Sequence, residues 1–323
     1  MEKLKVIVTR RWPEEVEEEL KALFDVELNE NDHPMSVTEL QEALRCADAV
    51  LPTVSDKITA EVLSAEPLRA KILGNFGVGF NHIDLNAAKE RGITVTNTPD
   101  VLTDCTADTA MTLLLMVARR AGEGERHVRS KSWTGWRPTH MLATKVSGKT
   151  LGLVGMGRIA KAVAKRAHFG FGMNIIFYDP YPPPKDVVAA LEAQPCETLE
   201  DVFKDADVVS VHCPAGKETH YLINAERLAL MKPTAFLINT SRGDVVDEKA
   251  LVKALQDGTI AGAALDVYEN EPQVSKELLA MENVVLFPHL GSASRETRVA
   301  MGMRALENVK TFFAGETPRD KVV

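Results

Sequence analysis

Gly155-Met156-Gly157-Arg158-Ile159-Ala160 follows the strand-like stretch TLGLV and opens a segment of helical pattern. That order matches a GxGxx(G/A) turn able to cradle the pyrophosphate of a dinucleotide. Gly155 permits the tight turn, Gly157 lets phosphate approach the backbone, and Ala160 lets helix pack closely on strand. The helix start, at Arg158 and Ile159, then offers free N–H groups and the positive end of its dipole. Asp179 closes the next strand-like run, NIIFYDP, roughly 20 residues beyond Gly157. A carboxylate there accepts hydrogen bonds from the adenosine ribose hydroxyls and repels a 2′-phosphate. No basic side chain follows within residues 180–184. NAD (NADH) is therefore expected as cofactor, with NADP disfavoured. The glycines alone could be an ordinary tight turn; strand, glycines, helix and acid in sequence are what carry the reading.

The elements needed to hold such a turn recur along the whole chain. From the N-terminus KVIVT, DVELN, DAVLP, AKILGNF and ITVTN alternate with helical stretches at 13–24, 37–45, 60–63 and 84–91. This βα alternation predicts a parallel sheet covered by helices. Ala107, Met111, Leu114, Leu115 and Ala118 repeat at helical spacing and predict a buried helix leading out of that domain. Residues 122–146 are polar, carry Trp133 and Trp136, lack a clear period, and read as an excursion between two sheets. A second series then runs through KTLGLVGMG, a helix over 158–167, NIIFYDP, DVVSVHCP, TAFLINTSRG, a helix over 248–255, IAGAALDV and NVVLFPHL. Its strands are continuous apolar runs, as in a sheet covered on both faces. The last helix carries Val299, Met303, Leu306, Val309 and Phe313 on one stripe, with Ser292 or Ser294 available as cap. The fold class is thus α/β, with two flavodoxin/Rossmann-like domains, each a doubly wound parallel sheet.

Bulk properties narrow the classes of function. The 323 residues suit two domains, and 45% hydrophobic with 26% charged residues suits buried interiors. A net charge of −8 leaves no basic surplus to neutralise a phosphate backbone, so nucleic acid is not an expected partner. Cys46, Cys105, Cys196 and Cys213 show neither CxxC pairing nor metal-ligand spacing. A reduced cytoplasmic setting is expected, without a metal. The N-terminus MEKLKVIVTRRW lacks the apolar core of a secretory signal. Residues 109–118, the longest uncharged apolar-rich run, reach about half of the ~20 residues of a bilayer span, so no membrane association is expected.

The chain resembles the D-isomer-specific 2-hydroxyacid dehydrogenases, and among them the glyoxylate and hydroxypyruvate reductases. The resemblance rests on GNFGVGFNHIDL, NTPDVLTDCTAD, GLVGMGRIA, INTSRGDVVDEKAL, AGAALDVYENEP and FPHLGSAS, spread over nearly the whole chain. It implies Arg242, Glu271 and His289 as catalytic arginine, acid and histidine. An arginine can fork onto a substrate carboxylate and C2 oxygen and stabilise growing charge there. Histidine is the side chain suited to exchanging a proton near neutrality, and a carboxylate beside it favours imidazolium and orients the ring. Taken singly these residues could be a surface charge, a solvated loop acid and a packed histidine. Their joint place at the ends of successive strands favours a site.

The same resemblance implies that the backbone of Val78 and Gly79 receives the substrate carboxylate, with Asn75 and Phe76 nearby. It places Thr106, Pro214, Thr240, Asp266 and Gly291 against the cofactor, Asp266 toward the nicotinamide carboxamide. SWTGWRP resembles a segment that reaches from a partner subunit, so Trp136 is expected at the partner's substrate pocket in a homodimer; two interface-anchoring tryptophans are the plainer alternative. The implied layout is a substrate domain of residues 1–100 completed by 291–323, and an NAD-binding domain of 101–290 whose excursion at about 120–146 mediates dimerisation, with a small 2-oxo or 2-hydroxy acid held in a cleft between them. Asp108 stands where many relatives have glutamate, with no readable consequence for substrate. Formate dehydrogenases carry glutamine at the position of Glu271 and are disfavoured; a chain ending at Val323 is not expected to carry an appended regulatory domain. The alternatives are a D-lactate or phosphoglycerate type dehydrogenase and an NAD-sensing, corepressor-like binding protein.

Overall fold

The β-branched runs become parallel strands of two separate sheets in the computed structural model, which describes residues 3–323. One unit comprises the chain up to Leu102 together with Ser292–Val323; the other is Thr103–Gly291. In the first, β1 (Lys5–Val8), β2 (Asp25–Leu28), β3 (Ala49–Leu51), β4 (Ile72–Gly74) and β5 (Thr94–Thr96) pair in the order β2-β1-β3-β4-β5. Val6, Val8, Val50, Leu51, Ile72, Leu73 and Val95 are all buried at its centre. The helix Val37–Cys46 starts with a complete capping box between Ser36 and Glu39, which satisfies two of its orphan N–H groups.

Ser294 caps the last helix, Arg295–Phe313, by accepting from the Thr297 amide. Its buried stripe differs from the one expected. Leu306 and Val309 are buried, but Val299, Met303 and Phe313 are only half-covered, and Met301, Gly302 and Ala305 take their place. Small residues decide this: a Cβ on Gly302 would lie 2.7 Å from Val16 of the helix Glu14–Leu23, so the two helices meet where side chains are least bulky.

In the second unit β6 (Thr150–Val154), β7 (Asn174–Tyr178), β8 (Ala193–Pro195), β9 (Val208–Val211), β10 (Phe236–Asn239), β11 (Gly262–Leu265) and β12 (Val284–Leu286) pair in the order β12-β11-β10-β9-β6-β7-β8. Alternate residues of β9–β11 feed cores on opposite faces. Val209, Leu237 and Ala263 join one with Val202 and Leu251, while Val208, Ile238 and Ala264 join the other with Leu114 and Val163. Burial on both faces explains why these strands read as unbroken apolar runs. The apolar helix Thr103–Ala118 is part of that second core, and no helix among the described residues is long and apolar enough to cross a membrane.

Two elements escape the sequence patterns. The helix Ala121–Arg129 falls, but for its first residue, in the stretch read as aperiodic; it buries no residue and contains two glycines, so it has no apolar stripe, and ion pairs Arg120–Glu123 and Arg129–Glu125 lie along it. β8 is a three-residue edge strand ending in Pro195, where the missing N–H costs no ladder bond. The helix expected over 158–167 is α-helical only through Lys165 and continues as a π turn, Arg166–Gly170.

Candidate active site

Because the seven strands of the second unit are parallel, all their carboxyl ends lie along one edge, where open α/β sheets bind ligands. The chain order reverses between β6 and β9, and β6 delivers the glycine turn there. Gly155 has φ +90, and a Cβ on it would stand 3.1 Å from the Cys213 amide nitrogen, so the position demands glycine twice over. Gly157 is the N-cap of the helix Arg158–Lys165 with no side chain capping it, and the space a Cβ would fill is open. Arg158 is exposed and Ile159 half-buried. Asp179 is fixed by two backbone donors, Met156 N–H to Oδ2 at 2.7 Å and Tyr181 N–H to Oδ1 at 2.8 Å. Each oxygen keeps a lone pair for a further donor.

After β9, Pro214 is exposed and its carbonyl accepts from Thr219 Oγ1 at 2.7 Å. After β10, the buried Thr240 hydroxyl has no partner among the described residues. An uncapped helix start, a carboxylate held in place and an orphaned hydroxyl along one edge fit a dinucleotide.

The ends of β11 and β12 bring together Asp266, Glu271 and His289. Asp266 is buried and receives the Leu290 N–H at 2.5 Å on Oδ1 and the Gly291 N–H at 2.8 Å on Oδ2, while its own carbonyl accepts from the His289 N–H at 3.0 Å. Three consecutive amides thus hang from one residue, which holds His289 in a left-handed turn, φ +57. Burial raises the Asp266 carboxyl above its ordinary range, an effect opposed by the Leu290 amide, by His289 and by the Gly291 amide. Thr106 packs here too: a Cβ on Gly291 would meet Asp266 Oδ2 at 3.2 Å and Thr106 Cγ2 at 3.4 Å.

His289 Nδ1 lies 2.9 Å from Glu271 Oε2, with 30% of the histidine and 34% of the glutamate side chain exposed. Glu271 Oε1 accepts from the Tyr268 amide at 3.1 Å. Burial pushes the Glu271 carboxyl up, but the His289 bond and charge, the Tyr268 amide and Arg242 together hold it below its ordinary value. A glutamate so held is ionised at neutral pH and favours a proton on the ring nitrogen it faces, an arrangement able to orient the imidazole.

Arg242 follows β10 in extended conformation, φ −143. Its carbonyl accepts from Asn239 Nδ2 at 2.9 Å and its Nη1 donates to the Ser241 carbonyl at 2.6 Å. Burial pulls the guanidinium down from its ordinary value, opposed by Glu271 and Asp244, and the group remains a cation. Sequence reasoning missed the residue beside it. A Cβ on Gly243 would lie 1.8 Å from the Tyr268 carbonyl carbon and 2.4 Å from the Glu269 nitrogen, so glycine alone lets the Arg242 loop touch the Glu271 loop. The glycine of SRG was the available signal. Gly243→Ala is expected to lose about 1–3 kcal/mol of stability by overpacking and about 100-fold in turnover by separating the two loops. Thermal melting and steady-state kinetics check this; a wild-type rate would show that the loops need not touch.

In the other unit, the segment after β4 is braced from within. Asn75 is fully buried; its Nδ2 donates to the carbonyls of Gly77 at 3.1 Å and Gly79 at 3.0 Å, and its Oδ1 lies 3.0 Å from His82 Nε2. Asn97 Nδ2 holds the Val78 carbonyl at 2.8 Å. Phe76 is buried, 4.6 Å from the Trp12 ring, with the Arg298 guanidinium 6.0 Å from its centroid. With their carbonyls pulled inward, the Val78 and Gly79 amides find no acceptor among the described residues. The Asn75 side chain is committed to this loop. Trp136 is 81% exposed and Trp133 53%.

Residues 111–291 match the family described as D-isomer specific 2-hydroxyacid dehydrogenase, NAD binding domain. The chain is 45% identical over 98% of its length to a glyoxylate reductase of Thermococcus onnurineus, covering 95% of that protein, and 46% identical over 97% to a glyoxylate reductase of Thermococcus kodakarensis, covering 94%. Among solved structures, an NADPH-dependent glyoxylate/hydroxypyruvate reductase of Sinorhizobium meliloti in complex with NADP and malonate superposes with a TM-score of 0.88 at 35% identity, covering 99% of this chain and 97% of that one.

Proposed function

This chain belongs to the D-isomer-specific 2-hydroxyacid dehydrogenases, and from that membership we propose that it reduces a small 2-oxo acid of the glyoxylate or hydroxypyruvate type to the D-2-hydroxy acid with NADH, reversibly. The observation that carries the reading is the 2.9 Å contact of Glu271 with His289, on a turn hung from Asp266. Bound nicotinamide supplies or accepts the hydride. His289 Nε2 gives a proton to the C2 oxygen in reduction and takes it back in oxidation, and Glu271 keeps the imidazolium in place. Arg242 pairs with the substrate carboxylate and the C2 oxygen, where charge grows as the carbonyl is reduced. The Val78 and Gly79 amides receive the carboxylate. Thr106, Thr240, Asp266 and Gly291 contact the cofactor.

Asp179 supports NAD over NADP, since it would face a 2′-phosphate with negative charge; a relative that carries NADP makes the point worth measuring. The exposed Trp133, Trp136 and Leu142 support a homodimer in which Trp136 reaches the partner's substrate, and the free Cys46, Cys105, Cys196 and Cys213 support a reduced cytoplasmic setting. A spectrophotometric screen of 2-oxo acids with NADH and NADPH tests the reading. Glyoxylate and hydroxypyruvate with NADH are expected to turn over fastest. Preference for pyruvate or a phosphorylated acid would favour the lactate or phosphoglycerate type, and tight NADH binding without any turnover would favour a nucleotide sensor.

A further inference from the structure

We infer that Tyr221 is a positioning residue for the Arg242 and Glu271 loops, resting on the oxidoreductase reading above. Tyr221 lies between β9 and the helix Ala225–Leu230, with a left-handed backbone, φ +50. A bulky side chain in that region is uncommon and persists where its surroundings over-determine it. Two bonds do so here. Its N–H donates to the Asp244 carbonyl at 2.9 Å, two residues from Arg242, and its hydroxyl donates to Glu269 Oε1, two residues from Glu271.

The backbone around it is part of the same construction. The Ile223 N–H donates to the Val245 carbonyl and the Asp247 N–H to the Ile223 carbonyl, both at 3.0 Å, so residues 221–223 run beside the Arg242 loop as a short parallel ladder. On the far side, the Glu269 amide donates to Glu248 Oε2 at 3.3 Å, and Gly243 presses on the Tyr268–Glu269 peptide. Glu269 is thus gripped from three directions, and Tyr221 adds a hydrogen-bonded link between the two loops beside the direct contact at Gly243. The Glu269 bond, followed by burial, pushes the phenol up to about 12, so Tyr221 remains a hydrogen-bond donor wherever the enzyme would work. The phenol is a donor to Glu269 and takes no part in the proton transfer itself; what it sets is the approach of Glu271 to His289.

Tyr221→Phe removes one oxygen and keeps the ring and the backbone cost, so it isolates the bond. Steady-state kinetics should show kcat lower by about tenfold with the oxo-acid KM and NADH binding within about twofold. Glu269→Gln, which leaves the phenol intact and weakens the same bond, should lower kcat in the same way with KM and NADH binding unmoved; it carries the test if Tyr221→Phe does not fold. Wild-type kcat in either folded variant, even with a lowered melting temperature, would overturn the inference. Should the unmutated protein reduce no 2-oxo acid at all, the functional reading falls and this inference with it; an active wild type beside an unaltered Tyr221→Phe sinks the inference alone.

Discussion

His289→Ala is expected to lower reductive turnover by about 10²- to 10⁴-fold, the scale of a positioned general acid, while NADH affinity measured by fluorescence titration stays close to wild type. The reasoning is local. The imidazole is reached from Glu271, while its backbone is suspended from Asp266 through three amides that alanine keeps. Removing the ring therefore deletes the proton donor and leaves the turn that carries Gly291. Loss of NADH binding together with activity would instead mean that the turn had collapsed and would remove the support for a proton-transfer role. Glu271→Gln isolates the partner. Glu271 is held below its ordinary value and is charged throughout the neutral range, so its loss removes the anion that fixes the ring and its donor nitrogen. Turnover should fall while NADH affinity stays close to wild type; a wild-type kcat would detach the glutamate from the histidine's chemistry.

Arg242→Ala should cost about 10³-fold in kcat/KM, as the loss of a preorganised charge at the developing oxyanion does. Arg242→Lys should recover only part of it, because an ammonium cannot fork onto a carboxylate and an adjacent oxygen. The half-buried setting enlarges the effect, since a charge partly shielded from water acts more strongly on its neighbours. Measuring kcat and KM separately tells orientation from affinity: both are expected to worsen for alanine, mainly kcat for lysine. A lysine enzyme with wild-type kcat would show that the bidentate geometry is not needed.

The parts of this fold that were legible in the sequence are those where burial and backbone chemistry leave few choices. Unbroken apolar runs gave the covered strands β9 to β11, and the 155–160 glycines gave the turn beside β6. What was not legible depended on contact between distant segments. The helix Ala121–Arg129 buries nothing and so wrote no period into the sequence. The last helix turned toward Gly302 and Ala305 because Val16, almost 300 residues away, needed the room. Gly243 and Tyr221 matter through neighbours that only folding supplies, and so do the hydrogen bonds by which the Asn75 side chain braces its own loop.

β10, β11 and β12 are adjacent, and Asn239, Leu265 and Leu286 stand level across them. Arg242 and His289 each emerge three residues past that row, and Asp266 one. Neighbouring strands are spaced at about 4.8 Å, so these three anchor points are ruled onto the protein at fixed intervals that no surface loop can stretch. Selection for a different acid can therefore redraw the rim at little risk to the reaction. A single bulky replacement of Ala263 or Ala264, two or three residues before Asp266 and packed into the cores on either face, would spread the ruling and blunt the activity the scaffold hosts.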